Sequence, residues 1–294
     1  MLTLYPAQEE AVQRMLEEPT RAVLNASDLG TGKTATTVEL VRRLGAKTVL
    51  LIGPLNVDEA WKKTFERQGV ALPFVHINSS KKGLQAFADL KAGKEGIYYI
   101  GREFFALSGT DSKDKKRKAR WSWGSVKPDV ACWDEVHGAS NRKSVSAQAL
   151  WPLKAGYKVA LSATPAGNKF QGIWSVCRWL WPDVIPRSFW KWADQWANVV
   201  PDQYTHKRVE DEKNPGAFVN SLPCYIKLEG SLQEPLVKRI ECDLLPSQRK
   251  QYADLKKQAL TWIEDNPLVA DLPITLRIRL RQASLAEMSL TDDE

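Results

Sequence analysis

The chain has 294 residues, 43% of them apolar and 26% charged, and carries a net charge of +7. That balance excludes an intrinsically disordered chain, and no apolar run reaches the roughly 18 residues of a membrane-spanning helix. The length suits about two domains, and the basic surplus points to a polyanionic partner, with nucleic acid the first candidate.

Leu4-Tyr5-Pro6-Ala7-Gln8 opens a predicted helix. Pro6 suits a first turn, and Ala11, Val12, Met15 and Leu16 form an apolar stripe that Glu17-Glu18-Pro19 closes. Gln8 lies in the first turn, at the surface or at a site. A buried strand follows at Arg21–Asn25, then Ser27-Asp28-Leu29-Gly30-Thr31-Gly32-Lys33-Thr34, then apolar residues at helical spacing (Ala35, Val38, Val41 and Leu44). Strand, glycine-rich turn and helix make the setting of a phosphate-binding loop. Gly30 and Gly32 let backbone N–H groups curl round an anion, and the helix aims its positive end at the same point. Lys33 would reach the β- and γ-phosphates of a nucleotide, and the Thr34 hydroxyl would hold Mg²⁺. The strict pattern asks for glycine where Ser27 stands, so a ligand-free β–α turn remains the alternative.

Further β-like runs fall at Lys47–Ile52, Pro73–Ile77, Ile97–Ile100, Asp129–Trp133 and Tyr157–Leu161, with helical patterns between most of them. They are continuously apolar more often than alternating, as expected of strands covered on both faces. Alternating β and α predicts a parallel sheet with right-handed crossovers, and ligands beyond the carboxyl ends of its strands.

Residues 111–127 break this rhythm with seven Lys/Arg against two Asp, a net of +5. The segment is either a solvated insertion or a loop in which Lys115, Lys116 and Arg117 contact phosphates, with Trp121 or Trp123 packing or stacking on a base. The next strand ends in Asp134-Glu135-Val136-His137. A carboxylate pair at a strand end suits the second half of a nucleotide-hydrolysis site. Asp134 would hold Mg²⁺ through the metal's waters, and Glu135 would orient and deprotonate the attacking water. A helix N-terminus that favours acids is the plainer alternative.

Ser162-Ala163-Thr164-Pro165 follows another strand end and reads as a turn that opens a helix. Phe170, Ile173, Trp174, Cys177, Leu180 and Trp181 give that helix its apolar face. Phe189, Trp190, Trp192 and Trp196 continue the aromatic content, as helix–sheet packing or as a docking face. From Val200 to Leu222 the chain turns polar and the sheet rhythm is lost. A strand over Val237–Leu245, a helix opening at Pro246-Ser247 and another over Ile274–Leu285 complete the elements; no internal repeat is found. Cys132, Cys177, Cys224 and Cys242 form no Cys-x-x-Cys pair, so reduced thiols are expected rather than zinc ligands. No signal-peptide layout opens the chain, and an intracellular, cytoplasmic protein is expected.

Together these stretches resemble the superfamily 2 helicase-like ATPases, and within them the Swi/Snf-type DNA translocases. Leu4-x-Pro6-x-Gln8 is similar to the family's adenine-reading motif. Asp28-Leu29-Gly30-Thr31-Gly32-Lys33-Thr34 resembles its phosphate loop, which also lacks the first glycine. Ile52-Gly53-Pro54-Leu55, followed by Trp61 and Phe65, resembles the segment that touches a DNA strand. Asp134-Glu135-Val136-His137 resembles the Asp-Glu-x-His box, with Val136 in place of the usual alanine. Leu161-Ser162-Ala163-Thr164-Pro165, with Asn168 and Trp174, resembles the coupling motif. Leu245-x-x-Ser-Gln248-x-x-x-Tyr252 and Leu280-Arg281-Gln282 resemble the way into a second lobe.

The resemblance implies an α/β RecA-like lobe over residues 1–228, with a mostly parallel central sheet flanked by helices, then a linker and the opening helices of an incomplete second lobe over 229–294. It implies ATP and Mg²⁺ as cofactors, Gln8 on the adenine, and Lys33, Asp134, Glu135 and His137 as the catalytic set. It also implies double-stranded DNA as a partner, held without sequence preference at Pro54, Leu55, Arg102 and Thr164, and a second RecA-like lobe in cis or in trans. The arginine finger belongs to that lobe, so weak turnover is expected of this chain alone. The implied activity is ATP-driven movement on DNA. A strand-separating DNA or RNA helicase and a non-catalytic, nucleotide-responsive DNA-binding module stay open. A compact lobe with no appended reader domain suggests a bacterial or viral source, without excluding the nucleus.

Overall fold

The computed structural model describes residues 3–109, 120–202, 206–230, 243–250 and 252–254. The chain divides into a unit spanning Met1–Leu232 and a second spanning Gln233–Glu294. In the first unit the elements run α1 (Pro6–Glu17), β1 (Ala22–Asn25), α2 (Lys33–Arg43), β2 (Thr48–Gly53), α3 (Asp58–Arg67), β3 (Phe74–Ile77), α4 (Lys81–Lys91), β4 (Gly96–Gly101) and α5 (Arg102–Ser108). They continue through β5 (Val130–Asp134), α6 (Val145–Leu150), β6 (Tyr157–Leu161), α7 (Ile173–Leu180), α8 (Phe189–Trp196), β7 (Ala197–Asp202), β8 (His206–Glu212), α9 (Ala217–Asn220) and β9 (Tyr225–Ile226).

Seven strands form one sheet in the order β3-β4-β2-β5-β6-β1-β9, and every pairing in it is parallel. The cause lies in the strand sequences. Val-Leu-Leu-Ile of β2 and Ile-Tyr-Tyr-Ile of β4 are buried along their whole length, so only helices on both faces can cover them. The α1 stripe of Ala11, Val12 and Met15 is buried, and Tyr157 donates its hydroxyl to the Met15 carbonyl at 2.6 Å. The expected α/β sheet flanked by helices is therefore the observed fold. The two expected helices at Pro6 and Lys33 form, and the first six expected strands lie within a residue or so of the observed ones.

Two features depart from expectation. The stretch after Val200 holds an antiparallel hairpin, β7 with β8, and β9 extends the main sheet beside β1. In the basic segment, Trp123 is fully buried and donates its indole N–H to the Phe105 carbonyl at 3.0 Å. Trp121 stacks on Phe87 with ring centroids 4.2 Å apart. Trp123 is thus a packing residue, and half-buried Trp121 packs against an aromatic neighbour. Cys132, Cys177 and Cys224 are buried free thiols, and no metal-binding cluster of three or more His, Cys, Asp or Glu occurs among the described residues.

In the second unit, residues 246–250 and 252–254 are helical, with the Leu245 amide donating to Gln248 Oε1 at 3.0 Å. Lys115, Lys116, Arg117, Cys242, most of the Val237–Leu245 strand and the Ile274–Leu285 helix lie outside the described residues. No helix among the described residues is long and apolar enough to cross a membrane.

Candidate nucleotide and nucleic-acid site

The register of three adjacent strands builds the site. Asn25 of β1 is level with Leu161 of β6, and Leu161 is level with Asp134 of β5. At about 4.8 Å per strand, the phosphate-type loop after β1 and the acidic box at the end of β5 lie about 10 Å apart on one sheet edge. The Ser162–Pro165 turn leaves β6 between them.

The loop takes the shape its glycines allow. Gly30 has φ +78° and Gly32 φ +86°, left-handed values that glycine adopts without strain. Gly32 leads directly into α2. A Cβ on Gly32 would lie 2.4 Å from Gln8 Nε2, so Gln8 is packed on the loop. Its Nε2 donates to the Thr31 carbonyl at 2.9 Å, and its Oε1 accepts from the Tyr5 amide at 3.0 Å. Thr31 Oγ1 donates to the Asp28 carbonyl at 2.7 Å. Leu29 is 62% exposed.

Lys33 lies over its own loop and donates from Nζ to the carbonyls of Ser27 at 2.7 Å and Asp28 at 2.9 Å. Burial holds its pKa below the ordinary lysine value, against the pull of Glu135, Asp134 and Asp28. Those carboxylates are thus within electrostatic reach of the ammonium. Thr34 is half-buried beside it.

Asp134 is held from two sides. Trp61 Nε1 donates to its Oδ2 at 3.0 Å, and the Glu135 amide adds a second hydrogen bond. Burial is the larger effect and pushes the Asp134 carboxyl above its ordinary pKa. Trp61 and Phe65 are each 1% exposed. They are the buried residues of the amphipathic α3, so of the stretch that resembles a DNA-touching segment they supply the packed part.

Glu135 sits in the left-handed region at φ 56°, ψ 53°. Its Oε2 is 3.0 Å from His137 Nδ1 and accepts from Ser162 Oγ at 3.4 Å. His137 Nδ1 is also 3.2 Å from Ser162 Oγ, and the Thr164 amide donates to that same oxygen at 3.1 Å. The box after β5 and the turn after β6 are therefore joined through Ser162, a residue of the stretch that resembles the coupling motif.

The remaining expected residues share the edge more loosely. The Pro54 carbonyl accepts from the Tyr99 hydroxyl at 2.5 Å. Leu55 is 65% exposed, and Gly101 makes room for it, since a Cβ there would lie 2.8 Å from Leu55 Cδ2. Arg102 pairs with Glu103 at 2.8 Å, and Thr164 is exposed. One arrangement has no local signal in the sequence. Lys227 pairs with Asp28, the Gly230 amide donates to Asp28 Oδ2 at 3.1 Å, and the Leu228 amide donates to Ser27 Oγ at 2.9 Å. The stretch after β9 is laced to the phosphate-type loop.

The model of the SNF2-related domain family matches residues 7–283. The chain belongs to the SNF2-related domain family. Among its curated relatives, the zebrafish (Danio rerio) chromodomain-helicase-DNA-binding protein 1-like is 24% identical over 63% of this chain and 17% of its own length. The ATP-dependent helicase brm of Drosophila melanogaster is 24% identical over 80% of this SNF2-related chain and 15% of its own length. The ATP-dependent DNA helicase DDM1 of Arabidopsis thaliana is 24% identical over 84% and 32%. The chain thus spans a third or less of each of these three relatives. In fold it is similar to the Sulfolobus solfataricus SWI2/SNF2 ATPase core solved in complex with dsDNA. The TM-score is 0.60 at 18% identity, covering 96% of this chain and 58% of that one.

Proposed function

We propose that this SNF2-related chain carries the nucleotide-binding lobe of an ATP-driven motor that moves on duplex DNA. The supporting observation is the common level of Asn25, Leu161 and Asp134, which brings Lys33, Asp134, Glu135 and Ser162 to one sheet edge. Residues 1–228 would form the lobe, and 229–294 the linker and opening helices of a second.

The residues present suit ATP with Mg²⁺. Gly32 holds a left-handed φ of +86° that a side chain rarely adopts, and Lys33 spends its protons on backbone carbonyls rather than on a carboxylate. Bound nucleotide supplies an electrophilic γ-phosphorus, and Mg²⁺ neutralises the charge that develops on the phosphates. The amides of Leu29 to Gly32 would cradle phosphates, and Lys33 would trade its two carbonyls for phosphate oxygens. Thr34 and Asp134 would hold the metal, directly and through its waters. One hydroxyl and one carboxylate suffice, because Mg²⁺ at such sites keeps waters and phosphates as most of its ligands. Glu135 would take a proton from the attacking water, with His137 and Ser162 fixing its carboxylate. Gln8 would read the adenine edge. Pro54, Leu55, Arg102 and Thr164 would face the DNA, with Lys115, Lys116 and Arg117 as further phosphate contacts. Phosphate contacts would make binding salt-sensitive and nearly sequence-blind.

The test pairs two variants. Lys33→Ala is expected to remove binding of a fluorescent ATP analogue with the thermal melt unchanged, and Glu135→Gln to keep binding and lose hydrolysis. Arginine fingers contribute about 10³–10⁵ in rate, so hydrolysis by this chain alone is expected to be slow even with DNA. Unchanged analogue affinity in Lys33→Ala would overturn the site; rapid DNA-stimulated turnover would overturn the need for a second lobe.

A further inference from the structure

A cleft of about 510 Å³ opens between the loop from Ser140 to Lys143, downstream of the acidic box, and the loop over residues 166–172, downstream of β6. Arg142 and Lys143 line it from one loop and Lys169 from the other, with Asn141, Asn168 and Gln171 between them. Among the described residues, none of the three cations has a carboxylate within ion-pair distance. The Arg142 guanidinium lies 4.1 Å over the Phe189 ring centroid and 5.9 Å from that of Trp190. A guanidinium held over an aromatic face can still donate its N–H groups to a multi-oxygen anion such as a phosphate. A half-buried cation without a counter-charge costs free energy, and an entering anion would recover it.

The two loops are set close together. A Cβ on Gly167 would lie 3.1 Å from Ser140 Oγ, and one on Gly172 3.0 Å from Ser140 Cβ. The cleft is therefore a built feature of the fold. It is also distinct from the Lys33 site: its lining holds cations, amides and a hydroxyl, but no carboxylate to share a metal. Its second loop follows Thr164 in the chain, and Arg102 Cδ lies 3.9 Å from where a Gly138 Cβ would be. That proximity sets the helical turn leading into Ser140 beside the expected DNA edge.

We propose that this cleft receives the phosphodiester backbone of one DNA strand, with Arg142 as anchor and Lys143 and Lys169 beside it. The inference rests on the reading of the chain as a DNA motor. It adds a phosphate station that the sequence motifs do not contain.

The experiment measures binding of a short fluorescein-labelled duplex by anisotropy across a KCl series. Each neutralised phosphate contributes about 0.9 to the slope of log K against log salt. Arg142→Gln with Lys169→Gln should therefore lower the slope by about 2 and weaken binding equally for unrelated sequences. Affinity for a fluorescent ATP analogue should stay unchanged. Lys154→Gln, ahead of β6 on the opposite sheet edge, should leave the slope as it was. If loss of the Phe189 stack unfolds the first pair, Lys143→Gln with Lys169→Gln removes two exposed cations instead and should lower the slope by the same amount. A folded double variant with an unchanged slope would overturn the cleft and leave the motor reading standing. Failure of the unaltered chain to bind the duplex at the lowest salt would overturn both.

Discussion

Trp61 donates its indole N–H to Asp134 Oδ2 at 3.0 Å across 73 positions of sequence. A helix residue that is 1% exposed thereby orients the acid at the end of the neighbouring strand system. Burial raises the Asp134 pKa, and this hydrogen bond is the largest influence in the opposite direction. Trp61→Phe keeps most of the buried volume and deletes the donor. The buried oxygen then lacks a partner, which should cost about 1–3 kcal/mol in urea denaturation.

The same change has a pH signature. A carboxyl raised in the folded state stabilises the fold below the ordinary carboxylate range and loses that contribution as pH rises through its raised value. Metal holding needs the ionised form, so Mg²⁺-supported binding of an ATP analogue should fall as pH drops toward that value. In Trp61→Phe the carboxyl rises further, and the fall should begin at higher pH. Identical profiles for the two proteins would count against Asp134 as the metal-holding acid.

Gly32→Ala tests the contact between α1 and the loop. The substitution places a Cβ 2.4 Å from Gln8 Nε2 at φ +86°. Gln8 can swing aside, losing its bond to the Thr31 carbonyl, but the left-handed strain of about 1–2 kcal/mol stays. Gln8→Ala combined with Gly32→Ala should therefore recover only part of the lost stability. Full recovery would mean that the clash, and not the backbone conformation, is what requires glycine here.

These contacts mark how far the sequence could be read. β1, β2 and β4 to β6 were legible because each is a short, mostly apolar run that is largely buried, and the loop after β1 because Gly30, Gly32 and Lys33 follow at a fixed spacing. The β7–β8 hairpin was not, because His206 to Glu212 are mostly exposed charged residues and no buried face imposes an alternation. β9 has two residues, and its place comes from pairing with Leu24 and Asn25 rather than from its own composition. Trp61 enters the sequence reading only beside the Ile52–Leu55 stretch, and its bond to Asp134 comes from the fold. Lys227 lies 199 positions from Asp28, beyond any local pattern.

That long-range pair yields another prediction. The Lys227 ammonium, then the Gly230 amide, holds the Asp28 carboxyl below the usual carboxylate range. Asp28→Asn should lower hydrogen-exchange protection of the Gly230 amide and, more weakly, of Leu228, relative to intrinsic rates. The core amides of Leu50 and Ile52 should not change. In the unaltered chain this protection should be complete above the ordinary carboxylate range and fade as pH drops through the lowered Asp28 value. Equal protection of Gly230 in both proteins would show that the backbone ladder between Asp28 and Leu228 holds the segment without the carboxylate.

Glu135 carries backbone strain at the position proposed for the base. Its φ of 56° lies where a side chain crowds the following carbonyl, at a cost of about 1–2 kcal/mol. Glycine escapes that cost. Glu135→Ala and Glu135→Gly lose the same contacts to His137 and Ser162, so their difference isolates the backbone. Glycine usually destabilises relative to alanine; here Glu135→Gly should be the more stable by about 1 kcal/mol in urea denaturation, with both variants failing to hydrolyse ATP. The strain would then be retained because it aims the carboxylate at His137 and Ser162, beside the level of Lys33. If Glu135→Ala proved the more stable, the turn would be relaxed, and positioning of Glu135 would rest on its side-chain partners alone.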